Sequence, residues 1–233
     1  MTVIRVAIAD DHQLFCSGIQ MLIESQPDLE FVGASYDGEA AVALARGVRP
    51  DVMLMDIRMP TLDGIEATAR IVETFDEVNT AATPDDNIAS PHAYPKIIML
   101  TTFQRDAAVV RAIQAGADGF LVKDATPEFV LAAIRSVHAG HSVIAPSDTV
   151  DIIRAQASRK DREPVAEAIS VLSAREKEVF LLAARGLSNA EIAQTAFIGE
   201  TTVKSHIRSI LAKLSLNSRV QVVAYAYENG LLR

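Results

Sequence analysis

The stretch VMLMDIRMPTLDG, residues 52–64, decides how the rest of the chain is interpreted. Its apolar residues run without interruption to Asp56 and are followed by a loop that contains Pro60. An uninterrupted apolar run is typical of a strand covered on both faces of a parallel sheet. In open α/β sheets, ligands bind beyond the carboxyl ends of such strands. The pattern therefore predicts that Asp56 lies at a binding edge, whereas a lone Asp in this position is also a common strand cap or turn residue.

Other apolar runs end in an acid, a hydroxyl or a lysine: residues 4–9 before Asp10 and Asp11, residues 96–100 before Thr101, and residues 119–122 before Lys123. The carboxyl ends of parallel strands meet at one edge of a sheet, so we expect these side chains to converge on Asp56. A lone Lys in such a place is usually a solvated surface charge. The prediction of a site therefore rests on the whole group.

Strand-like and helix-like segments alternate through the first 140 residues. Strands are predicted at 4–9, 30–35, 52–55, 96–100 and 119–122, and helices at 13–24, 39–46, 65–75, 107–115 and 128–139. Strands that alternate with helices of this length indicate an α/β fold with a five-stranded, doubly wound parallel sheet. Residues 76–95 interrupt the order, and we interpret them as an exposed, mobile loop. Such a loop is a binding loop or a tolerated insertion, and we favour the insertion.

The composition favours a soluble globular protein of one large or two ordinary domains, with 233 residues of which 49% are hydrophobic. No apolar run approaches the roughly 18 residues of a membrane span, and no signal peptide is recognisable. We therefore expect a cytoplasmic protein with no membrane association. The single cysteine, Cys16, lies in an apolar helical pattern and is expected to be buried.

The charge distribution divides the chain into two parts. Residues 1–140 contain 20 acids and 10 bases, whereas residues 171–233 contain 5 acids and 8 bases. A basic part behind an acidic one indicates two domains with different partners, of which the second is the candidate for nucleic acid. We predict a first domain at 1–140, a linker at 141–168 with possible helix near 149–157, and a small all-α domain of four helices at 169–233.

Helix starts are well marked in the last domain. Ser173 with Glu176 and Ser188 with Glu191 match the capping box, and a third helix is predicted after Gly199. The third helix has one apolar face, and its other face presents Lys204, Ser205 and Arg208, a spacing that suits a helix in a DNA major groove. The other candidate DNA-contacting residues would hold phosphates: Asn189, Thr201, Thr202, Lys213 and Arg219. A solvated amphipathic helix is the alternative interpretation of this pattern.

The acids at the predicted sheet edge indicate phosphoryl chemistry. Clustered carboxylates repel one another and are normally stabilised by a hard cation such as Mg²⁺. A carboxylate such as Asp56 can act as a nucleophile and become an acyl phosphate, with Lys123 and Thr101 neutralising the transferred group. Because Mg²⁺ prefers oxygen ligands, His12 is expected to pack locally rather than to bind the metal.

Residues 1–140 resemble the receiver domain of two-component response regulators. The resemblance rests on the pair Asp10 and Asp11, on DIRMP at 56–60, on LTT at 100–102 and on GADGFLVK at 116–123. It implies that Asp56 is the phosphoacceptor and that Asp10, Asp11, Asp56 and the backbone carbonyl of Arg58 bind Mg²⁺. It further implies that Lys123 pairs with the phosphoryl group, and that Thr101 and Phe120 form a switch in which the ring moves inward after the hydroxyl. The segment 76–95 lengthens the family's pattern.

The last 60 or so residues resemble the LuxR-type helix-turn-helix, on LSARE at 172–176, GLSNAEIA at 186–193, TVKSHI at 202–207 and KL at 213–214. Together the two resemblances imply a NarL/FixJ-type response regulator. Such a protein is phosphorylated by a sensor histidine kinase, forms a homodimer and binds double-stranded DNA to regulate transcription. Gly199 departs from the family, which commonly has Ser at this helix cap.

Two other functions were weighed against this one. An aspartate-nucleophile phosphohydrolase would have a similar acidic site but typically needs a second Asp two residues after the nucleophile, where this chain has Arg58. We therefore do not expect an enzyme. A DNA-binding regulator that works without phosphate is the other alternative, and the complete acidic site argues against it.

Overall fold

A computed structural model describes residues 3–81, 95–102, 108–141 and 166–232. The chain divides into two compact units, residues 1–145 and 146–233. Each unit has a hydrophobic core of its own. None of the helices in the described ranges is long and apolar enough to cross a membrane.

The first unit is a five-stranded, all-parallel sheet with the strand order β2-β1-β3-β4-β5. Its strands are β1 (Ile4–Ala9), β2 (Leu29–Ser35), β3 (Val52–Asp56), β4 (Lys96–Thr101) and β5 (Gly119–Val122). Its helices are α1 (Gln13–Glu24), α2 (Gly38–Val48), α3 (Gly64–Ala81), α4 (Ala108–Gln114) and α5 (Pro127–His138). The predicted fold class is confirmed. The strand order reverses between β1 and β3, which is where a doubly wound sheet binds its ligand.

Burial on both faces explains why the central strands consist of unbroken apolar residues in the sequence. Every residue of β3 is buried, and Met53, Leu54 and Met55 have no exposed surface. Helices therefore cover the sheet on both faces, and alternation between polar and apolar residues is absent. Cys16 is buried on the inner face of α1, as expected.

The predicted loop at 76–95 is partly wrong. Helix α3 continues through these residues as far as Ala81. The sequence of residues 76–81, DEVNTA, lacks the apolar periodicity on which the helix prediction depended, so it resembled a loop. Residues 82–94 lie outside the described residues.

The second unit is helical. It contains a short 3₁₀ helix (Ala166–Ile169) followed by α6 (Ala174–Ala184), α7 (Asn189–Ala196), α8 (Glu200–Leu214) and α9 (Arg219–Glu228). Both predicted capping boxes are present, and Ser218 forms a third with Gln221 at the start of α9. The S-x-x-Q pattern of residues 218–221 would have revealed the third box from the sequence.

The predicted linker at 141–168 overlaps the start of the helical unit. Residues 166–168 belong to the 3₁₀ helix, whose last residue, Ile169, is buried in the core of this unit. The hydroxyl of Tyr225 donates a hydrogen bond to the carbonyl of Ala168, 2.8 Å away, which holds the 3₁₀ helix against α9. Residues 142–165, including the possible helix near 149–157, lie outside the described residues.

Candidate functional site

An ion-pair network joins the ends of three strands in the first unit. Lys123 Nζ, just beyond β5, lies 2.7 Å from Asp10 Oδ2 and 3.0 Å from Asp56 Oδ2. Asp10 follows β1 and is fully buried, while Asp56 ends β3 and is 5% exposed. Asp11 lies beside them, and carboxylate oxygens of all three acids fall within 4.8 Å of one another. The structure therefore brings together the acids and the lysine at one sheet edge.

His12 lies directly against two of these acids. Its Nδ1 lies 2.7 Å from Asp11 Oδ1 and 3.2 Å from Asp10 Oδ1, while the ring is largely exposed. The backbone N–H of His12 also donates to Asp10 Oδ1, 2.9 Å away. These contacts are with the two residues that precede His12, which agrees with the expectation that it packs locally. Its position directly after the acidic pair was the signal available in the sequence.

Burial and the contacts with Lys123 dominate the electrostatics of the site. Burial raises the pKa of Asp56 above its usual value, and the repulsion from Asp10 adds to this, although Lys123 and a backbone hydrogen bond from Arg58 oppose it. Burial tends to lower the pKa of Lys123, but hydrogen bonds to Asp10 and Asp56 outweigh it and the pKa is raised. The lysine therefore stays protonated, and the three carboxylates exceed it in charge.

The loop that follows β3 is held tightly against the phosphoacceptor candidate. The N–H of Gly64 donates to the carbonyl of Ile57, 3.0 Å away, and a Cβ on Gly64 would lie 1.9 Å from the carbonyl oxygen of Asp56. Thr61, with φ of 67°, turns the chain so that the N–H of Leu62 reaches the carbonyl of Pro60. A glycine is thus required at residue 64 for the backbone to pass Asp56.

The two residues expected to form a switch lie close to this site. The backbone N–H of Lys123 donates to the carbonyl of Thr101, 2.8 Å away, which ties the ends of β4 and β5 together. The Thr101 side chain is mostly buried, and Phe120 is 1% exposed. The Phe120 ring is therefore already in the inward position that the predicted switch would give it after phosphorylation. The switch roles of both residues stay predictions.

The candidate DNA-contacting face is formed by α8. Its inner face is buried through Val203, Ile207 and Ile210. Its outer face exposes the residues predicted to read bases or hold phosphates: Thr201, Thr202, Lys204, Ser205 and Arg208. The pattern of exposure is the one that the predicted groove-binding helix requires.

Two predicted phosphate contacts, Asn189 and Arg219, are buried instead. Arg219 is 8% exposed and its Nη1 donates to Asn189 Oδ1, 2.7 Å away, while its Nη2 donates to the carbonyl of Leu187. Burial lowers the pKa of Arg219 to about 10, which still leaves the guanidinium charged at neutral pH. We therefore correct the prediction: these residues hold α7 and α9 together and are not available to DNA.

Lys213, another predicted phosphate contact, forms an ion pair. Its Nζ lies 2.7 Å from Oε2 and 2.9 Å from Oε1 of Glu176, which is buried at the start of α6. The Lys213 side chain is partly exposed, so the pairing does not remove it fully from the surface. The capping role of Glu176 is visible in the sequence, whereas its contact with α8 is not.

The fold and the paired sites define a protein that joins an acidic receiver pocket to a helix-turn-helix. Comparison with known families agrees: residues 6–135 match the response regulator receiver domain and residues 170–226 match the bacterial regulatory proteins of the luxR family. Over 230 residues the chain is 34% identical to the response regulator protein VraR of Staphylococcus aureus, with 99% of each chain covered. The chain belongs to the two-component response regulators that carry a LuxR-type DNA-binding domain. It is therefore a DNA-binding transcription regulator and not an enzyme.

Solved structures of related proteins have the same fold. The response regulator ChrA of a haem-sensing two-component system is 28% identical, with a TM-score of 0.50 and full coverage of both chains. The receiver domain of NarL from Mycobacterium tuberculosis is 30% identical with a TM-score of 0.51, and covers 60% of this chain and 100% of its own. These likenesses extend over both units for ChrA and over the receiver for NarL.

Proposed function

We propose that Asp56 accepts a phosphoryl group from a sensor histidine kinase and that this modification controls dimerisation and DNA binding. The observation that carries the proposal is Lys123 Nζ, which lies within 3.0 Å of Asp10 and Asp56 at the sheet edge beside Asp11. An edge with three acids and one lysine is built to receive further positive charge. Because it would act on DNA and receive phosphate from a kinase, we propose that the protein is cytoplasmic.

The donor set suits Mg²⁺, because three carboxylates whose oxygens lie within 4.8 Å of one another offer the hard ligands that this ion prefers. We propose that Asp10, Asp11, Asp56 and the backbone carbonyl of Arg58 hold it. Bound there, the ion would neutralise charge on the transferring phosphoryl group. His12 would position Asp11 through their hydrogen bond.

The chemical step uses residues that the fold already aligns. A carboxylate oxygen of Asp56 attacks phosphorus, an O–P bond forms, and the N–P bond of the donor's phosphohistidine breaks. The departing imidazole keeps the electron pair of that bond and takes a proton from solvent. Lys123, held protonated, is placed to pair with the new phosphoryl oxygens once they replace its contact with Asp56.

Exposed apolar residues on α1 support a homodimer. Leu14 is 88% exposed and Met21 is 73% exposed, and because they are two turns apart on α1 they lie on one face of the helix. Beside them an apolar groove of about 600 Å³ runs between α1 and α5, with Phe15, Ile19 and Val130 in its walls and Lys123 at one end. We propose that a second copy covers this surface, and Lys123 would connect the groove to the phosphorylation site.

A light-scattering experiment tests the proposal. The molar mass of the full chain is measured with Mg²⁺, before and after adding beryllofluoride as a phosphoryl mimic. We expect a doubling of mass in the wild type and none in Asp56→Asn. Asp63→Asn is the matched control, because Asp63 is an exposed acid of the same loop whose role is to accept a hydrogen bond from the N–H of Glu66.

A further variant separates modification from assembly. Leu14→Glu should remain monomeric although ¹⁹F NMR shows beryllofluoride bound at Asp56. A wild type that binds beryllofluoride but stays monomeric, with unchanged affinity for DNA, would contradict the proposed control by phosphate. It would favour a regulator that works without phosphorylation.

A further inference from the structure

Glu176 connects the start of α6 to α8 through a dense set of hydrogen bonds. One end of the set is a capping box, in which the backbone N–H of Ser173 donates to Glu176 Oε2, 2.7 Å away. The other end lies on α8, where Ser209 Oγ donates to Oε1 at 2.5 Å and Lys213 Nζ contacts both carboxylate oxygens. A cap needs only the first of these contacts, so the partners on α8 indicate a second role.

Ser209 and Lys213 fix α8 at two points. They are four residues apart and therefore lie on one side of the helix, about 6 Å from each other. The buried residues Val203, Ile207 and Ile210 already hold α8 in the core, and two attachments to one carboxylate further restrict its rotation and sliding. The exposed residues Lys204, Ser205 and Arg208 are on the same helix, so their directions are set by this attachment.

The attachment is permanent under ordinary conditions. The hydrogen bonds from Lys213, then Ser209, hold the pKa of Glu176 well below its usual value. Glu176 therefore remains ionised at neutral pH. It is 5% exposed, and water does not compete effectively for its oxygens.

We propose that Glu176 is a positioning residue for DNA reading, and that Lys213 acts on DNA binding through Glu176 rather than by contacting a phosphate. The inference rests on the proposed DNA-reading role of α8. It replaces the phosphate contact that the sequence predicted for Lys213. Glu176 and Lys213 then affect which DNA sequence the protein prefers. Neither neutralises a DNA phosphate, so neither adds to the counterions that are released on binding.

The test compares Glu176→Gln and Lys213→Gln in the full chain. The wild type is used to enrich a duplex from a random-sequence library, and fluorescence anisotropy then measures binding to that duplex and to a scrambled duplex over a range of salt concentrations. Loss of one or two base contacts corresponds to about a tenfold weakening on the enriched duplex. We expect that weakening for both variants, with binding to the scrambled duplex within about twofold of wild type and an unchanged salt slope.

Glu176→Gln distinguishes positioning from a simple charge effect, because the two predict opposite changes in DNA affinity. Removal of a negative charge near DNA strengthens binding if charge alone matters, whereas loss of positioning weakens binding to the enriched duplex. Lys177→Gln is the charge-matched control for Lys213→Gln, since Lys177 lies on α6. Circular dichroism must show each variant folded at the assay temperature. If Glu176→Gln does not fold, Lys213→Gln decides the question, because 42% of the Lys213 side chain is exposed and its replacement leaves the capping box of Glu176 in place.

Two results would overturn the inference. A salt slope reduced by about 0.9 in Lys213→Gln would mean that Lys213 contacts a phosphate directly. Unchanged affinity for the enriched duplex in a folded variant would mean that the attachment does not matter for reading. Lys204→Gln tests the underlying role of α8 separately, since it should weaken binding and lower the slope whether or not Glu176 positions the helix.

Discussion

Both units place a lysine against carboxylates, and the charge balance of the two networks differs. In the receiver, Lys123 contacts Asp10 and Asp56 while Asp11 lies alongside, so three acids share one lysine. In the helical unit, the single carboxylate of Glu176 is paired with one lysine, Lys213, and also accepts a hydrogen bond from Ser209. The first network retains negative charge and the second is satisfied within the protein.

The difference separates a binding site from a structural connection. Unbalanced buried charge is costly, and it persists where a ligand or a reaction uses it. A balanced network needs no ligand to neutralise it, and it fixes the relative positions of helices. Burial of ionisable residues alone would not have distinguished the two, because Asp56 and Glu176 are each 5% exposed.

The largest expected effect concerns a second internal network of the helical unit, in which the buried guanidinium of Arg219 is hydrogen-bonded to Asn189 and Leu187 and interacts with the charge of Glu191. Arg219→Met keeps most of the apolar volume but leaves Asn189 Oδ1 and the Leu187 carbonyl without their donor. An unsatisfied buried acceptor costs roughly 1–3 kcal/mol, and the partly buried Leu187 carbonyl belongs at the low end of that range, so we expect the free energy of unfolding of this unit to fall by about 2–4 kcal/mol. Urea unfolding followed by circular dichroism measures this. Addition of Mg²⁺ should recover none of the loss, and recovery would contradict the distinction between the networks.

A smaller and reversible effect is expected in the receiver. Lys123→Met leaves Asp10 and Asp56 facing each other without their cation, which costs roughly 3–5 kcal/mol when both charges persist. Because burial raises the pKa of Asp56, this carboxylate can take up a proton, and we expect a smaller loss of about 1–3 kcal/mol in the absence of divalent ions. Saturating Mg²⁺ should restore most of this stability, because the ion replaces the missing positive charge and binds only the folded state. Thermal unfolding with and without Mg²⁺ is the measurement.

Lys96→Met is the matched control for Lys123→Met. Lys96 pairs with Asp118 at 2.8 Å and is buried to the same degree, but the pair lies at the opposite end of the sheet. Lys96→Met should destabilise the receiver by a similar amount, and Mg²⁺ should not restore the lost stability. Equal responses of the two variants to Mg²⁺ would show that the excess charge at the Asp56 edge has no special role.

The sequence was sufficient for the receiver site because its residues are marked locally. Each acid and the lysine directly follows an apolar run, and parallel topology brings the ends of such runs together. Asp10, Asp56 and Lys123 therefore assemble as soon as the strands are recognised. The same reasoning located the exposed face of α8, because helical periodicity alone assigns Lys204 and Arg208 to the side opposite Val203.

The errors involve residues whose surroundings depend on distant parts of the chain. Arg219 lies 30 residues from Asn189 in the sequence, and the two side chains are hydrogen-bonded inside the helical unit. Polar residues near a helix-turn-helix suggest phosphate contacts, and no local pattern shows that they meet one another inside. The extension of α3 to Ala81 was missed for a different reason, since a helix can continue through polar residues once its apolar part is anchored.

The smallest expected effect compares α8 with the other main helices of its unit. Ser173, Ser188 and Ser218 cap α6, α7 and α9, whereas α8 begins after Gly199 without a side-chain cap. Gly199 has φ of −74° and ψ of 148°, which suits a capping serine, and an added Cβ would meet only Thr202 Oγ1 at 3.8 Å. Gly199→Ser should therefore stabilise the helical unit by about 0.3 kcal/mol, by satisfying a backbone N–H at the start of α8. Urea unfolding of this variant beside Gly199→Ala provides the measurement, because Ala adds the same Cβ without an oxygen and should be less stable than Ser. If Ser and Ala were equally stable, the first turn of α8 would already be satisfied, and the departure from serine at residue 199 would have no energetic consequence.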